Sequence, residues 1–533
     1  MLADSPPSGD RRDDAPSGLR RRLGSIGRIP LEAILVGLGL FAILAAFAAA
    51  DPVTKITNSV SPFTDEAFNV VNARNFVQVG VWSTDEWNLH LVNLPFSLVE
   101  AATFGIAGVG IVQARLAMIL CVSLTAAALV WGLRGVVGRT CATFAGLAFG
   151  FSGLILFYGR LAFLEDLVVL GLTLGTLVLA RDSRLSLRGG IVSGLCYAVA
   201  IGAKPSALFA VVGILATIGA VWGWRDSRIR RWLAGTSAVI ALAGLVWMIA
   251  IWLPNQAAVA IDLKIWASFQ WNLSPVEMFN SAKAYLTGKS DHIFGFLLLP
   301  LLGLGFAGLL TIVALRKRLD ETQARLTVAA FGWAAFGFGI LMIASYRPNR
   351  YVVPLVPSLA ILAAIGLHLF VSWLRERLAA RAEASRVAET AAAPAHGSGR
   401  SRRLAPGAVA VVAIVAAMAP GLAWYGNWAR HATYDLVAIQ NQFADAVPPG
   451  QIVAGDDSAL FFMRSKARTF ILDQANNGDI YAQGARWYLL PFDAANPNDA
   501  AIPNGVPEAV WAARERVMCA SWRGGTECLF HLR

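Results

Sequence analysis

SPFTDEAFNVVNARNFVQVGVW, residues 61–82, follows the first long apolar run of the chain and carries two adjacent acids, Asp65 and Glu66. If this stretch is a loop between membrane spans, those carboxylates sit at a bilayer surface on a definite side. Thr64 is placed to cap a helix whose apolar positions Ala67, Phe68, Val70, Val71, Phe76 and Val77 would lie against the membrane. Such a start puts Asp65 in the first helical turn, where the peptide dipoles favour a carboxylate. NLPFSLVEAATFGI, residues 93–106, reads as a second interfacial helix.

The chain around it is that of a polytopic membrane protein. Of 533 residues, 56% are hydrophobic and 15% charged, with a mean hydropathy of +0.57; soluble domains carry about 25% charge. A net charge of +11 does not indicate nucleic acid, because the basic residues fall in short clusters between apolar runs of bilayer-crossing length. Residues 1–30 read as a disordered cytoplasmic tail. About eleven spans are expected, near 31–50, 108–131, 140–158, 162–180, 189–203, 206–223, 232–253, 293–315, 326–344, 351–373 and 407–426.

The segments RDSRLSLRGG (181–190), WRDSRIRRW (224–232), RKRLDETQAR (316–325) and RERLAARAEASR with GRSRRL (375–404) alternate with these spans and are dense in Arg or Lys. The positive-inside rule places them with the tail in the cytoplasm and puts the 61–82 loop outside. The expected organisation is a tail (1–30), a transmembrane core (31–373), a cytoplasmic linker (374–406), a last span (407–426) and an extracytoplasmic domain (427–533). In that domain QIVAG, RTFIL, RWYLLP, RVMCASW and ECLFHL read as strands, and DSALFFMRS and PEAVWAARE as helices: a small α/β domain on a mainly α protein. Of five cysteines, Cys519 and Cys528 lie together there, where an oxidising compartment permits a disulfide. No phosphate-cradling glycine loop and no metal-spaced cysteine pair occurs.

The outward turns share a polar character. FYGRLAFLEDLVVL (157–170) carries Arg160, Glu165 and Asp166; GAKPSA carries Lys204 beside Pro205; SYRPNRY carries Arg347 and Arg350 ahead of Tyr351. Snorkelling and local ion pairing would account for each singly; together they suggest one site. An anionic headgroup calls for cations, and a hydroxyl nucleophile calls for a carboxylate to take its proton. A lipid-phosphate sugar meets both demands, with a phosphate as leaving group and one base, Asp65, behind the ring. Arg74, on the same helix as Asp65, and His90 join the candidates for substrate contact. Glu86 and His90, four residues apart, are the weak candidates for a divalent cation. Trp82, Trp87, Trp266 and Trp271 read as interfacial belt residues or sugar platforms.

TDEAFNVVNARNFVQVGVW after the first span, Ala114-Arg115-Leu116 at the second, YGRLAFLED, GAKPS and RYVVPLVPSLAILAA together resemble the GT-C membrane glycosyltransferases, in particular the branch with protein O-mannosyltransferases and lipid A aminoarabinose transferases. The resemblance spans most of residues 31–372. It implies a GT-C-like core in the plasma (inner) membrane, a polyprenyl-phosphate sugar donor, a lipid, glycan or protein acceptor, Asp65 as catalytic acid, one of Glu165 and Asp166 at the second acidic position, Lys204 as the basic residue after the fifth span, and Arg350 with Tyr351 at the late span. The chain departs from the aminoarabinose transferases in lacking their Lys-Pro late in the first loop, where it has HLVNLPF. A transporter or flippase of a lipid-linked anion is the alternative for so many spans with buried charge, and a non-catalytic assembly protein is a third reading. The topology is testable: reporters fused at 395 and 450 should report opposite compartments, and a shared compartment would mean that 407–426 does not cross.

Overall fold

The computed structural model describes residues 29–52, 64–82, 92–182, 184–257, 259–260, 274–287, 295–344, 348–390, 405–455, 457–470, 480–492, 502–503, 505–522 and 525–533. Helices dominate. In chain order α1 is Leu31–Ala45, α2 Thr64–Val79, α3 Leu94–Ala107, α4 Ile111–Gly150, α5 Gly153–Tyr158, α6 Leu164–Arg181, α7 Leu187–Ala203 and α8 Ala207–Ile218. Next come α9 (Ser227–Trp247), α10 (Pro275–Thr287), α11 (Gly295–Ala314), α12 (Glu321–Ile343), α13 (Val356–Thr390) and α14 (Ala405–Ala429). Among the described residues, five stretches are long and apolar enough to cross a membrane: Ile111–Gly150, Ser227–Asn255, Glu321–Ile343, Arg350–Ala384 and Val411–Ala429. Shorter apolar helices, α1 and α7 among them, stand beside these.

Two features differ from a simple reading of the apolar runs. The expected spans 108–131 and 140–158 meet inside α4, which breaks at Gly138, with φ 78° and ψ 168°. Only glycine adopts that conformation freely, and the chain reverses there: Gly146 packs so closely on Val130 and the Ala126 carbonyl that a Cβ would lie within 3 Å of both. At the other end of the core, α13 runs on to Thr390 through residues expected as linker, because RERLAARAEASR is made of strong helix formers.

The helices have distinct ends. At one end Glu32 pairs with Arg134 and Arg139, Arg228 with Glu321, and Arg318 with Glu376, so the Arg-rich loops gather together. The opposite ends of the same helices carry Asp51, Arg115, Glu165, Lys204 and Arg350, and here the C-terminal domain docks.

All five expected strands are present in that domain: β1 Ile452–Ala454, β2 Arg468–Phe470, β3 Trp487–Pro491, β4 Glu515–Trp522 and β5 Gly525–His531, in the order β2-β1-β3-β5-β4. β1 runs parallel to β2 and β3, and β5 antiparallel to β3 and β4. Cys519 and Cys528 face each other across the β4–β5 ladder and are disulfide-bonded. Helix α15, Asp435–Phe443, was not anticipated; α16 (Ser458–Phe461) and α17 (Glu508–Ala512) were.

Two residues join the domain to the bundle. Asp51, at the end of the first span, accepts hydrogen bonds from Thr433 Oγ1 (2.7 Å) and from the backbone N–H groups of Asp435 (2.9 Å) and Leu436 (3.0 Å), satisfying the exposed donors at the start of α15. Arg74 is fully buried and donates to the carbonyls of Phe462 (2.7 Å), Ser465 (2.5 Å), Ala467 (2.6 Å) and Met463 (3.4 Å). This corrects the assignment of Arg74 to the substrate: its guanidinium is committed to the C-terminal domain. Helix α2 is accordingly no simple interfacial helix, since Ala67, Val70, Val71 and Ala73 are buried while only Phe76 and Val77 are markedly exposed. Arg74→Met should leave four buried carbonyls without their charged donor, at about 1–3 kcal/mol for each group left unsatisfied. Limited proteolysis should then cut the C-terminal domain faster while the helical bundle stays resistant; unchanged cleavage would mean that Arg74 does not hold the domain.

Candidate active site

Both acid pairs occupy the first turn of a helix, Asp65 and Glu66 in α2, Glu165 and Asp166 in α6, where the aligned peptide dipoles favour negative charge. Adjacent positions on a helix are rotated by about 100°, so the members of each pair meet different neighbours.

Glu66 is buried and forms a two-pronged ion pair with Arg115 of α4, Nε to Oε1 at 2.7 Å and Nη2 to Oε2 at 2.6 Å. It also accepts the Ala162 N–H at 2.9 Å, while Arg115 Nη1 donates to the carbonyls of Ala48 (2.9 Å) and Ala50 (2.7 Å). The pair thus joins the end of α1, the start of α2, the start of α4 and the turn before α6. Glu66 has its charge balanced and its oxygens occupied, which removes it from the candidates for proton transfer and makes it structural.

Asp65 faces the other way. Its Oδ2 accepts from Arg350 Nη1, and Arg350 Nε lies 3.6 Å from Glu165 Oε1. Glu165 accepts from Lys204 Nζ at 2.5 Å. Lys204 in turn sits 3.7 Å from the centre of the Tyr351 ring, and Arg350 lies over Phe163 and Tyr351 at 5.4 and 5.5 Å. Four charged groups from α2, α6, the α7 end and the turn before α13 therefore form one cluster. Local sequence explains two of the placements. Lys204 precedes Pro205, which pushes it into an extended conformation (φ −153°, ψ 115°) and ends α7 there. Arg350 and Tyr351 lie in a seven-residue 3₁₀ segment, Asn349–Leu355, that follows Pro348 and contains Pro354.

Two other residues depart from expectation. Arg160 is fully buried and donates to the carbonyls of Ala50 (2.9 Å) and Asp51 (2.7 Å), with its guanidinium 4.1 Å from the centre of the Trp428 ring of α14. It closes the end of the first span and is not free to meet a phosphate. Asp166 is also fully buried, and among the described residues neither of its oxygens has a hydrogen-bond partner. It takes no part in the hydrogen bonds and ion pairs that link Glu165 to Lys204 and Arg350. Arg347, His90, Glu86, Trp87, Trp266 and Trp271 lie outside the described residues. Among those described, no three His, Cys, Asp or Glu side chains converge as a metal ligand set.

Beside the cluster an apolar cleft of about 300 Å³ runs between α8, α12 and the turn before α13, lined by Pro205, Phe209, Leu341, Tyr351, Pro354 and Leu355. Pro205 follows Lys204 directly, and Tyr351 belongs to both cleft and cluster. Arg115 stands within the Ala114-Arg115-Leu116 motif, but no local pattern pairs it with Glu66, 49 residues earlier. Asp51 was missed; its only signal was an acid at the exit of a span.

This arrangement, a helical core with an acid at the start of the first loop helix, a cationic turn before a late helix and a small mixed-sheet domain, shares its fold with solved structures of ArnT. Among solved structures, the chain is similar to ArnT from Cupriavidus metallidurans in its apo state, with 18% identity, 93% of this chain and 97% of that chain covered, and a TM-score of 0.59. The same protein bound to undecaprenyl phosphate gives 18% identity, the same coverage and a TM-score of 0.58. No protein-family model and no curated protein sequence matches the chain.

The buried pair has a measurable consequence. Arg115→Met should strand the Glu66 charge in a dry site and lower stability by about 3–5 kcal/mol. The double variant with Glu66→Gln should recover part of that loss, read as the thermal midpoint of the purified protein in detergent. Wild-type melting of the single variant would show that the pair does not hold these segments.

Proposed function

We propose that the protein transfers a sugar from a polyprenyl-phosphate donor to a hydroxyl group of a lipid, glycan or protein acceptor at the outer face of the plasma membrane, with inversion at the anomeric carbon. The observation that carries this reading is the junction of three parts in one place: a carboxylate, a pair of cations and an apolar cleft. Lys204 and Arg350 suit a phosphate, and the cleft that begins at Pro205 suits the first units of the isoprenoid chain. The GT-C fold and the solved complex of ArnT with undecaprenyl phosphate support the same assignment.

In the proposed step the acceptor oxygen bonds to the anomeric carbon as the bond from that carbon to the phosphate oxygen breaks. The bonding electrons leave on the phosphate, whose growing charge Lys204 and Arg350 offset. The hydroxyl proton passes to Asp65, which accepts it only as the oxygen becomes acidic. Since the leaving group is a stabilised phosphate, no general acid is required. Tyr351 keeps the Lys204 ammonium beside the cleft, and Glu165 fixes its direction.

Asp65→Asn nearly preserves shape while removing the acceptor for the proton. Transfer measured with a polyprenyl-phosphate sugar should fall by a factor of about 10² to 10⁴ with folding retained. Wild-type transfer by that variant would mean the base is misassigned. Wild-type behaviour of Asp65→Asn, Lys204→Ala and Arg350→Ala alike would move the transporter reading ahead.

A further inference from the structure

Asp65, the group assigned as base, is not free in the structure: its Oδ2 is held by Arg350, one of the cations assigned to the donor phosphate. Among the described residues the cluster holds two carboxylates, Asp65 and Glu165, and two cations, Lys204 and Arg350, so it is formally neutral. Glu165 and Lys204 are nearly enclosed, with side-chain exposures of 2% and 5%, whereas Asp65 at 21% and Arg350 at 11% are the more open pair. A carboxylate paired with a guanidinium is a poor base, because the cation stabilises its ionised form and occupies its lone pairs.

We propose that Arg350 is shared in time between Asp65 and the donor phosphate, so that arrival of the donor releases the base. The proposal rests on the glycosyl-transfer reading of this site. An added phosphodiester brings one negative charge into a neutral, partly enclosed cluster. It competes for the cation that is most exposed and whose fork of N–H donors matches two phosphate oxygens, which is Arg350 rather than the deeper Lys204. Asp65 then loses its hydrogen-bonded counter-charge, and its Oδ2 is open to the acceptor hydroxyl. When it takes the acceptor proton, the site keeps its net charge and the negative charge passes to the leaving phosphate, which Lys204 and Arg350 offset. Competition for Arg350 thus imposes an order: donor first, then deprotonation of the acceptor. Without donor, an acceptor hydroxyl meets a carboxylate whose charge is already compensated.

This makes Asp65 a competitor of the donor as well as its catalytic partner, and that distinguishes it from an ordinary base. The test is direct binding of undecaprenyl phosphate to the full-length protein in nanodiscs, with thermal stability measured on each variant. Asp65→Asn should bind the lipid roughly tenfold more tightly than the wild type, as expected from removing one partly buried competing charge. Arg350→Gln should bind more weakly, and in the Arg350→Gln background Asp65→Asn should no longer tighten binding, because the shared cation is gone. Asp65→Ala serves as a second probe of the same loss of charge. Equal or weaker binding by both Asp65 variants, with Arg350→Gln still impaired, would overturn the sharing and leave the phosphate site standing. Unchanged binding by all of them would overturn the donor reading itself, and the sharing with it.

Discussion

The buried pair of Glu66 and Arg115 is the contact on which the charged end of the helical bundle depends. Four backbone segments converge on its two side chains: the end of α1 through Ala48 and Ala50, α2 through Glu66, α4 through Arg115, and the turn before α6 through Ala162. A dry ion pair is costly to assemble and more costly to break, so it persists only where every donor and acceptor is matched. Matching of that kind fixes position closely. The residue preceding Glu66 is Asp65, and the turn that donates Ala162 N–H leads into Glu165, so the pair sets where the two carboxylates of the charged cluster stand.

The C-terminal domain is fastened to the same helix. Arg74 lies on α2 nine positions after Asp65, and its guanidinium is enclosed by the 462–467 turn; Asp51 closes the start of α15 from the membrane side. One helix therefore presents Asp65 to the charged cluster, Glu66 to the bundle and Arg74 to the sheet domain. The domain is fastened to the end of the bundle that carries the charged cluster rather than appended to it. Carbonyl groups do much of this holding: Arg74, Arg115 and Arg160 each direct several donors at main-chain oxygens near the ends of helices and turns, where such oxygens lack partners of their own.

The charged cluster and the apolar cleft complement one another. Cations alone at a membrane surface would attract any anionic headgroup, and an apolar cleft alone would accept any chain. Joined through Lys204, Pro205 and Tyr351, they match the proposed ligand, a phosphate at the head of a long hydrocarbon. Two prolines make the junction rigid at small entropic cost, Pro205 by ending α7 at the lysine and Pro354 by stiffening the turn that carries Arg350.

The sequence by itself determined the membrane class, the gathering of the Arg-rich loops at one end, the five strands of the C-terminal domain, the Cys519–Cys528 pairing and a shared polar group drawn from the two acid pairs with Arg160, Lys204, Arg347, Arg350 and Tyr351. These follow from hydropathy, charge order and local propensity, which are properties of short segments. Only the tertiary structure decided which member of each acid pair reaches the cluster, because a rotation of about 100° per helical residue sends neighbours to different partners. It also decided which arginines remain available. Arg74 and Arg160 have the same composition-level signature as Arg350, yet they end against main-chain carbonyls contributed by distant segments, and no local pattern encodes where those carbonyls fall.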